Sequence, residues 1–263
     1  MDSLKLFVLA LVQGITELLP ISSSGHILLL GNVINLPVTT TLLTFLHIGT
    51  TLSILFYFRK TVREEFLSKN NRENILKILL GSIPAIIVGV FFEEYITEKL
   101  RDPWITALSL IAWGMVMIAL ERKNTKDISI SKISFRDSFV IGLSQCMALI
   151  PGTSRSGITT ITGVLLGIEK YTAFKFSLLL GIPILLGSSV WSLSKELLLN
   201  GYSTTIDTLG GFSTSLIIIS VSSMIGYLSI LVVERFKKNN WLTLFGIYRI
   251  VVGILIILLQ YGS

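Results

Sequence analysis

The sequence predicts an all-α polytopic membrane protein, with about six transmembrane helices and two re-entrant helical hairpins in an inverted-topology repeat. Its 263 residues are 51% apolar, and the mean hydropathy is +0.76. Charged residues make up only 14%, against roughly 25% in soluble domains. About 20 helical residues cross a hydrocarbon layer of roughly 30 Å. Six apolar segments approach that length: 40–58, 75–92, 104–120, 171–192, 212–232 and 243–260.

Four further apolar segments are too short to span, and they come in two pairs: 4–19 with 26–34, and 138–150 with 158–168. A polar stretch interrupts each pair. We call residues 20–25, PISSSG, the first polar loop, and residues 151–157, PGTSRSG, the second polar loop. Non-helical backbone at membrane depth is tolerated only where protein or water surrounds it, so each pair is predicted to be a re-entrant hairpin.

The two polar loops are similar in sequence at a spacing of 132 positions. Identical pairs at this spacing include Gln13 and Gln145, Ser22 and Ser154, Ser24 and Ser156, and Gly25 and Gly157. The same shift sets Arg155 opposite Ser23, and three long segments follow each loop. The pattern predicts one integral membrane domain, 1–263, made of repeat halves at about 1–122 and 133–263.

Lysine and arginine concentrate in the loops 59–77, 121–137 and 233–241, which are therefore predicted to be cytoplasmic. Both termini and the first hairpin then face outward, and the second hairpin enters from the inner face. This topology makes the repeat inverted, and inverted repeats place a site where their broken helices meet. It also accounts for the net charge of +6, so we do not expect nucleic-acid binding.

The first polar loop carries residues suited to an anion. Gln13 and Glu17 are four apart and share a helical face, and a carboxylate inside a membrane indicates either a functional site or a structural ion pair. Hydroxyls and helix N-terminal N–H groups suit phosphate, although a plain serine-capped helix would have the same sequence. The expected phosphate ligands here are Ser22, Ser24 and Gly25, beside Ser23.

Two further side chains suggest phosphate chemistry. His26 can act as acid, base or nucleophile. Arg155 is expected to bind a phosphate bidentately, with pairing to Glu17 as its structural alternative. Its neighbours Thr153, Ser154 and Ser156 are expected to bind phosphate with it. We interpret His47 and Arg249 as structural.

QGITELLPISSSGH and PGTSRSG resemble the two signature motifs of the undecaprenyl-diphosphate phosphatase family, or bacitracin-resistance proteins, and the resemblance covers essentially the full length. It implies hydrolysis of undecaprenyl diphosphate to the monophosphate and inorganic phosphate in a prokaryotic plasma membrane, recycling the carrier for peptidoglycan synthesis. By position it makes Glu17, Ser23, His26 and Arg155 catalytic. It also implies Mg²⁺ or Ca²⁺ held by Glu17 and Gln13. The family has Glu or Gln at position 13, and the glutamine here leaves metal binding more dependent on Glu17.

The expected partners are a polyprenyl diphosphate lipid and the bilayer, and the architecture admits a homodimer. Three nucleophiles stay open: Ser23, with His26 as its proton partner, His26 itself, or water. A phosphatidic-acid-type lipid phosphatase would share the letters SSGH but needs a later histidine, and none follows His47. A transporter or flippase of polyprenyl phosphate carriers would also use an inverted repeat. A purely structural membrane protein would have no reason to bury Glu17 and Arg155.

Overall fold

A computed structural model describes residues 3–66, 72–92, 99–100, 102–207, 209–237 and 239–261. These residues form ten main helices and no strand; they include an isolated β-bridge between Lys126 and Ile168. The helices are α1 (Ser3–Leu18), α2 (Ser23–Val33), α3 (Thr40–Tyr57), α4 (Arg72–Phe91), α5 (Pro103–Leu120), α6 (Phe135–Ser144), α7 (Arg155–Leu165), α8 (Lys170–Asp207), α9 (Phe212–Phe236) and α10 (Trp241–Tyr261). Short helical turns cover Arg59–Thr61, Val62–Phe66, Ile130–Lys132 and Gln145–Leu149.

Six of the described helices are long and apolar enough to cross a membrane: α3, α4, α5, α8, α9 and α10. They coincide with the six predicted spans, so the prediction of an all-α polytopic membrane protein is confirmed. The spanning part of α8 is Lys170–Leu199, and the helix is broken at Gly201, where φ is 75°. Large apolar side chains such as Leu198 and Phe91 are exposed on these helices, as expected for a surface in contact with lipid.

Local capping sets where several helices begin. The Thr39 hydroxyl accepts a hydrogen bond from Leu42 N at 3.2 Å at the start of α3. The Asp102 carboxylate accepts from Trp104 N at 2.7 Å, and Pro103 follows as the first residue of α5. These side chains satisfy N–H groups that have no partner within the helix.

The two polar loops have the same backbone geometry at their exits. Ser22 and Ser154, which are 132 positions apart, have φ values of 72° and 69°, in the left-handed region that non-glycine residues rarely adopt. Each immediately precedes a helix of 11 residues, α2 or α7. The loops therefore share a strained turn that aims a helix N-terminus.

The C-terminal ends of α2 and α7 match as well. Leu36 N donates to Gly31 O at 2.9 Å, and Ile168 N donates to Gly163 O at 3.0 Å. Both pairs again lie 132 positions apart. The equal length, start and end of these helices support the predicted repeat, while its inverted orientation and the re-entrant hairpins stay predictions.

Glycines allow the helices to pack closely. A Cβ on Gly114 of α5 would lie 2.7 Å from Gly246 O of α10, and a Cβ on Gly246 would lie 2.7 Å from Gly114 O. Gly142 of α6 lies against Gly81 of α4, where an added Cβ would come within 2.0 Å of the Gly81 carbonyl oxygen. Small residues at such contacts are typical of membrane helices, whose association depends on close packing.

The three basic loops lie at one end of the bundle. Lys77 Nζ donates to Ser131 O at 2.9 Å, which joins the first loop to the second. Thr243 N donates to Glu121 Oε2 at 2.9 Å. This bond joins the second basic loop to the start of α10, which follows the third basic loop. Their shared side agrees with the charge pattern. Lys69 and Lys238, which add to that pattern, fall outside the described residues.

Candidate functional site

The tips of the two polar loops meet around one buried arginine. Arg249 of α10 has no exposed surface. Its Nη1 donates to Pro20 O of the first loop at 3.0 Å, and its Nη2 donates to Gly152 O and Thr153 O of the second at 2.8 and 2.9 Å. The Ser156 hydroxyl donates to Leu19 O at 3.0 Å and adds a direct link. Arg249 therefore has the structural position that its sequence context suggested, and it holds the loops in contact.

Arg155 and Glu17 form an ion pair between the two halves of the chain. Arg155 Nη2 lies 3.2 Å from Glu17 Oε1, and the two side chains are 11% and 6% exposed. The guanidinium packs on α8 at Gly181, where an added Cβ would fall 1.6 Å from Arg155 Nη1. Arg155 Nε is buried and has no hydrogen-bond partner among the described residues. The pairing with Glu17 thus leaves part of the guanidinium fork unsatisfied.

The second carboxylate oxygen of Glu17 lies near three polar side chains of the first half. The Ser23 hydroxyl donates to Glu17 Oε2 at 2.5 Å, and Gln13 Nε2 donates to the same oxygen at 3.2 Å. His47 Nε2 lies 3.8 Å from it. Because α1 supplies Glu17, α2 supplies Ser23 and α3 supplies His47, three helices converge on one carboxylate. A hydroxyl bonded to a carboxylate is the arrangement of a nucleophile and its general base.

A cavity of about 560 Å³ opens in front of this cluster. Its polar end is formed by Gln13, Ser23, Ser24 and His47, while Glu17 and Arg155 lie immediately behind. Its walls are mostly apolar and include residues of α4, α8, the turn Gln145–Leu149 and the start of the second polar loop: Ala85, Ile86, Gly89, Val90, Ala148, Leu149, Pro151, Ile184, Gly187, Ser188, Trp191 and Ser192. Ile86, Val90 and Trp191 are exposed, so the cavity reaches the lipid-facing surface between α4 and α8.

The structure places His26 away from this cavity. Its Nδ1 lies 2.8 Å from Ser22 O, its Nε2 lies 2.8 Å from the Tyr248 hydroxyl, and the two rings stack at 5.6 Å. The ring therefore faces α10, whereas the Ser23 hydroxyl faces Glu17. Glu17, rather than His26, has the position of proton partner to Ser23.

The predicted phosphate ligands divide into two groups. Ser24 lines the cavity, beside Ser23. The others line the loop interior: Ser22, Thr153, Ser154 and Ser156 are buried, and Gly25 packs against Thr106. The hydroxyls pair within each loop, Ser22 with Ser24 at 3.1 Å and Ser154 with Ser156 at 3.3 Å. Most of these serines thus shape the loops, and their role toward phosphate stays a prediction.

The sequence favours a structural role for His47, and the structure places its side chain in the lining of the cavity. Leu43 and His47 both line the cavity because residues four apart share one face of α3. The available sequence signal was its position within an apolar span, where an ionisable residue is as unusual as Glu17. Hydropathy alone could not show that α3 turns this face toward α1.

The residues around Glu17 supply only some of the ligands that a divalent cation requires. Among the described residues, no group of three His, Cys, Asp or Glu side chains is arranged for a metal. Glu17 offers a carboxylate and Gln13 an amide oxygen, whereas Mg²⁺ and Ca²⁺ take six or more ligands. This donor set fits a cation bound chiefly by phosphate oxygens, since such ions often use one or two carboxylates plus substrate phosphates.

Comparison with known proteins identifies relatives along the whole chain. The family described as "Bacitracin resistance protein BacA" matches residues 6–255. "Undecaprenyl-diphosphatase 1" of Clostridioides difficile (strain 630) is 36% identical, covering 98% of this chain and 96% of that protein. "Undecaprenyl-diphosphatase" of Corynebacterium glutamicum (strain R) is 35% identical over 96% and 88%. The protein of that name from Geotalea daltonii is 34% identical over 100% of both chains. The chain belongs to the bacitracin resistance protein BacA family.

Proposed function

We propose that this protein is a membrane hydrolase that converts undecaprenyl diphosphate to undecaprenyl phosphate and inorganic phosphate. The carrier is thereby recycled for peptidoglycan synthesis, and the activity contributes to bacitracin resistance. The observation that carries the proposal is the Ser23 hydroxyl 2.5 Å from Glu17 Oε2, at the polar end of an otherwise apolar cavity. Relatives named undecaprenyl-diphosphatase support the same activity.

The cavity suits an amphiphilic substrate. Its polar end has the chemistry to hold a diphosphate, and its apolar walls between α4 and α8 suit a prenyl chain. Because Ile86 and Trp191 border the opening on the lipid-facing surface, the chain can extend into the bilayer while the headgroup reaches Ser23. Ligand sites commonly combine apolar walls with a few convergent polar groups in this way.

These contacts support the following proposed sequence of proton transfers. Glu17 takes the proton of Ser23 as Ser23 Oγ attacks the terminal phosphorus, and the bond from that phosphorus to the bridging oxygen breaks. The lipid leaves as the monophosphate and receives the proton from Glu17. Water then hydrolyses the phosphoserine, with Glu17 as base, and Ser23 regains its proton. Direct attack by water or by His26 would leave no phosphoserine at Ser23.

Arg155 provides positive charge for this reaction. It orients Glu17 through Oε1 and donates from Nη1 to Ser177 O at 3.5 Å. We expect its N–H groups without a protein partner to meet phosphate oxygens, which carry the charge of the transition state. We propose Mg²⁺ or Ca²⁺ as the cofactor, held by Glu17 and Gln13 together with the diphosphate. The cation would neutralise charge on the diphosphate. The catalytic role predicted for His26 stays a prediction, and its bond to Ser22 O leads us to expect that it acts through the first loop.

We further propose that the site opens on the outer side of the plasma membrane. The cavity is lined by the first half of α3, the later part of α4 and residues 184–192 of α8, which lie away from the ends that join the basic loops. Both termini would then be outside, and the two halves would form the inverted repeat with its re-entrant hairpins. A homodimer also stays a prediction.

Single cysteines test this orientation in a Cys146→Ala background, because Cys146 is the one cysteine of the chain. Cysteines at Asp102 and Ser203 should react with an impermeant thiol reagent in intact cells, and cysteines at Asn124 and Asn239 should not. The opposite labelling pattern would invert the topology and move the entrance to the cytoplasm.

The function itself is tested with purified protein in detergent and undecaprenyl diphosphate. We expect equal amounts of inorganic phosphate and undecaprenyl phosphate to appear, and a chelator to suppress both. A transporter would leave the lipid unchanged. Unaltered substrate from well-folded protein, together with lipid movement across a reconstituted bilayer, would replace the phosphatase with the transporter.

A further inference from the structure

The ring of His47 reaches the polar end of the cavity without a hydrogen bond that fixes it there. Its side chain is 28% exposed, and its polar neighbour in the described part of the chain is Glu17 Oε2, at 3.8 Å. That oxygen already accepts hydrogen bonds from Ser23 and Gln13. A polar ring at the edge of an apolar cavity needs a partner, so the N–H of His47 is free for a ligand in the cavity.

The position of His47 indicates which part of a diphosphate it would meet. The terminal phosphate must lie next to Ser23 for attack and within reach of Arg155. The second phosphate then lies further into the cavity, toward the prenyl chain. In the first half, the polar side chains that line the cavity beside Ser23 are Gln13, Ser24 and His47, and α8 adds Ser188 and Ser192. Gln13 is engaged with Glu17, and Ser24 with Ser22, so among the described lining residues of the first half His47 is the donor without a protein acceptor.

We propose that His47 binds the phosphate that remains attached to the lipid. This inference rests on the proposed function for the identity of the lipid, and it assigns a substrate contact to a histidine separate from the loop residue His26. A neutral ring with a proton on Nε2 is sufficient, because the role is that of a hydrogen-bond donor. Leu179 stands at the matching position of the second half and is buried, so the contact is specific to the first half.

The test compares His47→Leu, which removes the donor, with His47→Gln, which keeps one. Leu52→Ala, on the exposed face of the same helix, is the matched control. Binding of inorganic pyrophosphate and of inorganic phosphate is measured for each purified protein with magnesium, by the dose dependence of thermal stabilisation. The same variants are then assayed for KM and kcat with undecaprenyl diphosphate.

We expect His47→Leu to weaken pyrophosphate binding and raise KM by about 10- to 100-fold, the usual range for losing a hydrogen bond to a charged group. Inorganic phosphate, which mimics only the terminal group, should bind within about threefold of the wild type, and His47→Gln should restore most pyrophosphate binding. If His47→Leu does not fold, His47→Met removes the donor with an unbranched side chain.

Unchanged pyrophosphate binding in a folded variant without the donor would overturn the proposal. Equal weakening of both anions would overturn the assignment to the lipid-bearing phosphate. Since binding is measured without turnover, a wild-type protein that binds pyrophosphate but releases no phosphate from the lipid would reject the proposed function alone.

Discussion

The two polar loops share a backbone conformation but carry different functional side chains. Ser22 and Ser154 share a left-handed conformation, and the helices after them have equal lengths and matching C-terminal hydrogen bonds. At the next position the first loop has Ser23 and the second has Arg155. The same scaffold therefore presents a hydroxyl from one half and a guanidinium from the other.

The difference extends to the residues around each loop. Positions that hold Glu17 and His47 in the first half hold Leu149 and Leu179 in the second. The first half thus carries the proposed base and nucleophile. The second half carries the Arg155 guanidinium and apolar side chains of the cavity wall. The shared backbone geometry supports the predicted repeat, and under the proposed function the two halves would contribute different side chains to one reaction.

The largest expected effect comes from removing the nucleophile from the first loop. Ser23→Ala should lower kcat by about 10⁴- to 10⁶-fold, as for other enzymes that lose a covalent nucleophile. Phosphate release at matched folded protein measures the loss. Activity within tenfold of the wild type would show that water or His26 attacks, and would leave Ser23 only a ligand.

Glu17 has no counterpart in the second half, so its carboxylate should be indispensable. Glu17→Gln should lower kcat by about 10²- to 10⁴-fold, the usual contribution of a general base. It should also weaken magnesium binding. Gln13→Glu should be tolerated and should strengthen magnesium binding. Activity titrated against magnesium checks both variants. A wild-type metal curve for Glu17→Gln would place the cation elsewhere.

Arg155 is the chemical contribution of the second loop. Arg155→Lys should lower kcat by about 10²- to 10³-fold, because an ammonium cannot contact Glu17 and phosphate with one planar fork. Steady-state kinetics with a long-chain prenyl diphosphate give the measurement. Near wild-type turnover in the lysine variant would rule out recognition through the guanidinium geometry.

A matched pair of glycines should separate stability from activity. Gly49 and Gly181 lie 132 positions apart, but a Cβ at Gly49 would fall 2.6 Å from the Ile219 backbone oxygen, whereas one at Gly181 meets the Arg155 side chain. Gly49→Ala should cost about 1–3 kcal/mol of stability through overpacking. Gly181→Ala should instead lower kcat by about tenfold by displacing Arg155. Thermal unfolding and steady-state kinetics distinguish the two variants. Equal losses of stability and of kcat in both variants would contradict the expectation that Gly49 serves packing and Gly181 positions Arg155.

The sequence was most informative where one physical rule dominates. Hydropathy located all six candidate spans, because their length and composition are local properties. The cost of a buried charge singled out Glu17 and Arg155, which the structure brings together at 3.2 Å. The rotation of one helix against another is not local. The cavity position of His47 and the direction of His26 toward Tyr248 therefore do not follow from the sequence.

If the two loops act as one catalytic unit, a double-mutant cycle on kcat will show it. Ser23→Ala, Arg155→Lys and the double variant are compared with the wild type under saturating lipid, at matched folded protein. Residues that act in one step are strongly non-additive. We expect the double variant to be no more than about tenfold slower than Ser23→Ala alone. If the two losses multiply, the loops contribute independently and the claim of a single divided site is contradicted.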